Sequence, residues 1–142
     1  MRRHPIPVVA ACIVSDSKGS PVVLLSRKKE GHDEKGISRN PELLGKWEFP
    51  GGIVEGNEAP EQALIREIRE ELDISIEVNE LLHAKSVSFK DRKPYLVLFY
   101  LCHTSEKAPA DCKYVSVFDY EDDLDILPGD LEVFDYLKEF FS

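Results

Sequence analysis

No stretch of this sequence approaches the roughly 20 apolar residues of a membrane span. Its start, MRRHPIPVVAAC, pairs a basic end with an apolar run before Cys12, as an export segment would. That run, Ile6 to Ala11, is interrupted by Pro7 and lies at or below the ~7–15 residues such a segment needs. It is expected to be a buried strand that continues through Ile13 and Val14. Cysteine is scarce. Cys12, Cys102 and Cys112 form an odd set without CxxC or zinc spacing, so reduced thiols in a cytoplasmic protein are expected. Cations are outnumbered, 18 Lys and Arg against 27 Asp and Glu, a net charge of −9. This disfavours a broad surface for tracking duplex nucleic acid. A phosphorylated substrate stays open, because a divalent cation can invert the local charge. The histidines, His4, His32, His83 and His103, are scattered without metal-ligand spacing. There is no internal repeat, linker or second domain, and 142 residues suffice for one domain, 1–142, with a real core.

What is present reads as alternating strands and helices. IPVVAACIV and PVVLLSR are strands separated by the turn SDSKGS. Residues 28–46 form a long polar loop, with a helical turn expected at Pro41 to Leu44. WEFP is a short strand, and GGIVEGNE is a Gly-rich turn into a helix from about Ala59 to Leu72, with Pro60 in its first turn. Leu64, Ile68 and Leu72 make an i, i+4, i+8 stripe, with Ile65 beside it, to dock on a sheet. Strands follow around Leu81 to Phe89 and Tyr95 to Cys102, joined by KDRKP. KYVSVFDY is a last strand, and a C-terminal helix starts near Gly129.

The helix carries the chemical question. Glu67 lies three and four residues before Glu70 and Glu71, so all three share one face. Like charges at i, i+4 destabilise a helix by a few tenths of a kcal/mol. A solvated acidic face is the plain reading. The alternative is a hard-cation site, since Mg²⁺ and Mn²⁺ take carboxylate oxygens and keep waters that a phosphate can displace.

The surrounding residues favour the second. Gly52, five residues, Glu58, seven residues and then REIREELDI over 66–74 resemble the signature of the Nudix hydrolases, G-x5-E-x7-R-E-U-x-E-E-x-G-U. Every defined position of this box, 52–74, matches except the last glycine, which is Asp73. That glycine ends the helix in a left-handed conformation, which Asp tolerates. The WEFPGG before the box and the strand order are similar to the Nudix αβα sandwich, an α/β (α+β) fold with a mixed sheet between the Nudix helix and a C-terminal helix.

The resemblance implies that Glu67, Glu70 and Glu71 ligate Mg²⁺ or Mn²⁺, with the carbonyl of Gly51. It implies that Arg66 orients a glutamate by a bidentate bond, with Glu58 as its partner or standing behind the ligands; a purely structural ion pair is the plain alternative. Asp111, with Glu106 behind it, is the positional candidate for a further acid from a later loop. Glu67 and Glu70 are the candidates for the group that accepts the attacking water's proton. The implied reaction splits a nucleoside diphosphate from a group X. The short domain and the closing LPGD are similar to the MutT-like branch, which takes nucleoside triphosphates to monophosphate and pyrophosphate. There Asp130 would lie near the base, unless it simply caps a helix. Phe118 could stack a base, or Tyr120, and Arg27 is a further candidate substrate contact. Lys28, Lys29, Lys35 and Arg39 could hold extra phosphates. RNA 5′-end pyrophosphohydrolysis, cleavage of a dinucleoside polyphosphate or nucleotide sugar, and a non-catalytic nucleotide sensor are the alternatives. Expected partners are a small nucleotide and at most a second copy of the chain, with neither duplex nucleic acid nor membrane.

Overall fold

The computed structural model describes residues 4–16, 19–27, 45–88, 93–120 and 124–142. Their order is β1 (Ile6–Ser15), β2 (Val22–Arg27), β3 (Trp47–Glu48), β4 (Gly51–Ile53), α1 (Pro60–Leu72), β5 (Glu77–Val87), β6 (Tyr95–His103), β7 (Lys113–Ser116), α2 (Pro128–Leu131) and α3 (Val133–Phe140). The seven strands form one open mixed sheet, ordered β3-β2-β1-β6-β5, with β4 paired to β1 and β7 to β2. Among the described strands β1 and β6 pair in parallel, from Ile6↔Tyr95 to Ile13↔Cys102. Most of the 28–46 loop, its expected helical turn and residues 90–92 of KDRKP lie outside the described residues. Among the described residues no helix is long and apolar enough to cross a membrane.

Strand β1 is apolar at nearly every position because both of its faces are covered. Ala10, Cys12 and Val14 join a core with Phe49, Phe99 and the α3 residues Val133, Phe134 and Leu137. Val9, Ala11 and Ile13 face the other way, onto Leu64, Ile68 and Leu72 of α1. The alternation follows from the two-residue period of a strand. Burying each Leu or Ile of the α1 stripe contributes about 1.5–3 kcal/mol. The apolar run at the start of the chain is thus the central strand.

Several boundaries differ from expectation. Gly51–Ile53 is a strand, paired to β1 through Val8↔Ile53, Val9↔Gly52 and Ala10↔Gly51; two glycines read as a turn, yet here they let two backbones approach. Ile65 is 44% exposed because Ala63 takes the inner place beside Leu64. β5 begins at Glu77, four residues before Leu81, where polar residues hid the strand. β7 ends at Ser116, and the C-terminal helix starts at Pro128 and is interrupted at Glu132.

Asp73 does occupy the left-handed exit of α1, with φ 54° and ψ 39°, and its N–H donates to the Arg69 carbonyl at 3.0 Å. An L-residue pays there for a Cβ that glycine lacks. Asp73→Gly should therefore stabilise the fold by roughly 0.5–1 kcal/mol, or about 2–3 °C in Tm for a domain of this size. Calorimetry of the two proteins checks it; a lower Tm in the variant would show that the exposed Arg69–Asp73 pair, 3.8 Å apart, outweighs the backbone term.

Candidate active site

The site begins where β4 meets β1. The Ala11 N–H donates to the Pro50 carbonyl at 2.8 Å, which holds the turn between β3 and β4 against the central strand. Gly51 is so close to β1 that a Cβ would lie 1.9 Å from the Val9 carbonyl oxygen. Gly52 is covered from the other side, where a Cβ would meet the Glu67 carboxylate at 2.2 Å. Helix α1 therefore lays one carboxylate directly on the glycine pair. The Gly51 N–H donates to Glu71 Oε2 at 3.0 Å, which fixes a second.

Arg66 organises the rest. Its Nε and Nη2 reach the two oxygens of Glu58 at 2.8 and 2.9 Å. Nη2 also donates to the Ile53 carbonyl at 3.1 Å, and Nη1 forks to Glu67 Oε1 at 2.9 Å and Glu70 Oε2 at 3.2 Å. Bidentate, charge-assisted bonding of this kind adds direction as well as energy. Glu58, which also accepts the Glu55 N–H at 2.9 Å, holds the guanidinium so that its remaining nitrogen orients the two glutamates. Glu67 is only 2% exposed and is oriented by both Arg66 and Gly52. Glu70, with a side chain 54% exposed, is the more accessible of the pair.

The Arg66 guanidinium and, secondarily, the Glu55 N–H hold the Glu58 carboxyl down at about 2, below its ordinary 4.5, and the same pair raises the pKa of Arg66. A lowered folded pKa adds stability above the unfolded value and loses it as pH falls through the folded one. The Glu58 contribution should thus be complete above about pH 4.5 and fade toward pH 2. Melting curves of wild type and Glu58→Gln across this range should converge at the acid end. Curves that keep a constant separation would show that the ionisation of Glu58 contributes nothing to stability.

The donor set suits a hard divalent cation: three carboxylates beside a glycine pair that brings no side chain of its own. Among the described residues, however, no three acids, histidines or cysteines close on one point as a ready-made cage. Glu67, Glu70 and Glu71 are held by Arg66 and by the Gly51 N–H instead. Asp111 is exposed before β7, its carboxylate 4.0 Å from the Cys112 thiol. Glu106 accepts the Ser75 N–H just past the exit of α1.

The candidate substrate contacts are more dispersed. The Arg27 guanidinium lies over the Trp47 ring, 5.0 Å from its centre. Phe118 is 44% exposed after β7, whereas Tyr120 packs on Phe134 at 4.8 Å. Asp130 is not a helix cap, since α2 is capped at Leu127; its carboxylate accepts the Phe49 N–H at 2.9 Å. Sequence reasoning missed that bond, the Gly51–Glu71 bond and the Arg27–Trp47 stack. The Phe49 and Asp130 positions are 81 residues apart, and no periodicity links them. Lys28, Lys29, Lys35 and Arg39 are outside the described residues.

Comparison with known proteins identifies the family. A model of the NUDIX domain matches residues 5–135. An 8-oxo-dGTP diphosphatase of Proteus vulgaris is 37% identical over 91 residues, 64% of this chain and 71% of that protein. A CTP pyrophosphohydrolase of Escherichia coli K12 is 41% identical over 85 residues, which span 58% of this chain and about half, 53%, of the relative. In fold, the crystal structure of a MutT protein from Methanosarcina mazei Go1 superposes with a TM-score of 0.74 at 20% identity, covering 100% of this chain and 99% of that one. The chain belongs to the NUDIX family of hydrolases and is MutT-like.

Proposed function

We propose that this protein hydrolyses a nucleoside triphosphate, ribose or deoxyribose, to the monophosphate and pyrophosphate, with Mg²⁺ or Mn²⁺ held by Glu67, Glu70, Glu71 and the Gly51 carbonyl. The observation that carries the reading is the Arg66 fork, which aims Glu67 and Glu70 from the box helix while Gly52 supports Glu67. Two relatives act, by name, on 8-oxo-dGTP and CTP, which supports a triphosphate over a nucleotide sugar. The −9 charge argues against an RNA chain as the larger substrate.

A divalent cation bound there neutralises phosphate oxygens and lowers the pKa of a water. The residues supply position and proton transfer. Water attacks phosphorus, its oxygen forms the new P–O bond, and the anhydride P–O bond breaks to release pyrophosphate. Glu70, exposed and bonded to Arg66 at 3.2 Å, takes the proton of the attacking water. Glu67, buried and fixed on Gly52, is a ligand whose position Arg66 and Glu58 maintain. All four box acids are retained, which sets the protein apart from a sensor that binds without turnover.

The test is release of pyrophosphate and phosphate, in Mg²⁺ or Mn²⁺ and with a chelator control, from canonical and oxidised nucleoside triphosphates. A triphosphate-bearing RNA end, ADP-ribose and a dinucleoside polyphosphate complete the panel. Chelator-sensitive turnover of one triphosphate with stoichiometric pyrophosphate supports the proposal. Turnover confined to the last three substrates replaces it, and binding without turnover makes the protein a sensor.

A further inference from the structure

We infer that Asp130 is a positioning residue, a strut that completes the backbone ladder of β3 and thereby sets the Phe49–Gly51 segment on which the acidic helix rests. Residues 125–127 run beside β3 as a short parallel ribbon, bridged at Trp47↔Ile126. The Trp47 N–H donates to the Asp125 carbonyl at 2.8 Å, and the Leu127 N–H donates back to the Trp47 carbonyl at 2.9 Å. The next donor on this edge is the Phe49 N–H. By then the partner chain has turned at Pro128 into α2, and the Leu127 carbonyl is taken by the Asp130 and Leu131 N–H groups at 3.0 and 2.8 Å. The Asp130 carboxylate stands in for the missing rung, at 2.9 Å from the Phe49 nitrogen.

The three residues that start at this rung are held from three layers. The Phe49 ring is 1% exposed and stacks on Phe134 of α3, 5.8 Å between centres. The Pro50 carbonyl accepts from Ala11 of the central strand at 2.8 Å. The Gly51 N–H reaches Glu71 of α1 at 3.0 Å. Asp130 and Glu71 thus hold amides two residues apart in one short segment, so a shift at the first is passed to the second through a single rigid proline. Loss of the Asp130 bond would leave a buried donor without an acceptor and let Gly51 move away from Glu71.

Asp130 as a strut differs from Asp130 as a reader of the base, and two variants separate them. Asp130→Ala removes the acceptor; Asp130→Asn keeps one, because a carboxamide oxygen also accepts an N–H. Steady-state kinetics on triphosphates of all four bases, and hydrogen exchange at the Phe49 and Gly51 amides, are measured for each. Asp130→Ala should lower kcat by about tenfold or more, by a similar factor for every base, with KM within about threefold. Exchange should speed at both amides, and Asp130→Asn should restore most of both readouts. A change in the order of preferred bases in either variant, or a KM effect with kcat unchanged, would make Asp130 a base contact and overturn the strut. Unchanged Gly51 exchange in Asp130→Ala would also overturn it. The turnover effect rests on the proposed hydrolase activity, whereas the exchange effect does not. If the wild-type protein turns over no triphosphate, the substrate reading fails, and Gly51 exchange alone decides the role of Asp130.

Discussion

Glu70→Gln should lower kcat/KM by about 10²–10⁴, the range expected when a positioned proton acceptor is lost, and leave the fold intact. The side chain is 54% exposed, and the bond seen for it is a 3.2 Å contact to Arg66. Exposed pairs of this kind contribute about 0–1 kcal/mol, so the melting curve without metal should hardly move. Metal should separate the two proteins. A cation that binds only the folded state adds about 2.7 kcal/mol at a hundred times its Kd, or roughly 5–10 °C for a domain of this size. The wild-type protein should show this rise in Mg²⁺ and Glu70→Gln a smaller one. No rise in the wild type would sink the cation site, and full activity in the variant would remove Glu70 from the chemistry. Glu67→Gln is a poorer probe, because Glu67 is 2% exposed and bonded to Arg66 at 2.9 Å, so stability and catalysis would fall together.

Alanine at Gly51 and at Gly52 should fail in different ways. At Gly51 the new Cβ would sit 1.9 Å from the Val9 carbonyl oxygen and 2.9 Å from the Ala10 Cα. Both belong to the central strand, which is paired on its other side along eight residues of β6. β4 would have to part from β1, and overpacking of this kind costs about 1–3 kcal/mol, sometimes more. The expected loss is roughly 5–10 °C in Tm. At Gly52 the obstacle is the Glu67 carboxylate, 2.2 Å away, the far end of a side chain that can turn aside. Gly52→Ala should melt nearer to the wild type yet lose activity, because the carboxylate must leave the place where Arg66 holds it. Thermal melts and turnover of the pair check this. Equal losses of stability would mean that Glu67 is as immobile as a backbone. Full activity in Gly52→Ala would mean that catalysis does not need Glu67 where it stands.

The box was readable because its residues are local. Glu58, Arg66, Glu67 and Glu70 lie on one helix and the turn before it, within 13 positions, so a 3.6-residue period already predicts which side chains can meet. The bidentate Arg66–Glu58 pair is the expected one. The left-handed Asp73 was legible for the same reason, since a helix exit is set by a few neighbouring dihedrals. Ile65 was misplaced although it is local: periodicity gives the direction of a stripe, and only the packed sheet gives its width.

Other features could not be read from neighbours. Gly51 and Gly52 look like turn residues until β1 is beside them, because glycine encodes close approach without naming the partner. From the sequence, Asp130 reads as a residue near the base or as a helix cap. Its bond to Phe49 depends on where the 125–127 ribbon turns into α2, and that turn follows from packing of the C-terminal helix on Phe49.

By itself, then, the sequence determined most of the strands, the box helix α1 with its acidic face, the Arg66–Glu58 pair and the left-handed helix exit. All of these rest on contacts within a few residues, where backbone geometry leaves little choice. Tertiary structure alone decided that Glu67 lies on Gly52, that Glu71 holds the Gly51 N–H and that Asp130 reaches Phe49. Each joins segments whose spacing along the chain carries no period, and they meet only because the two faces of β1 draw α1 and α3 to opposite sides of one sheet.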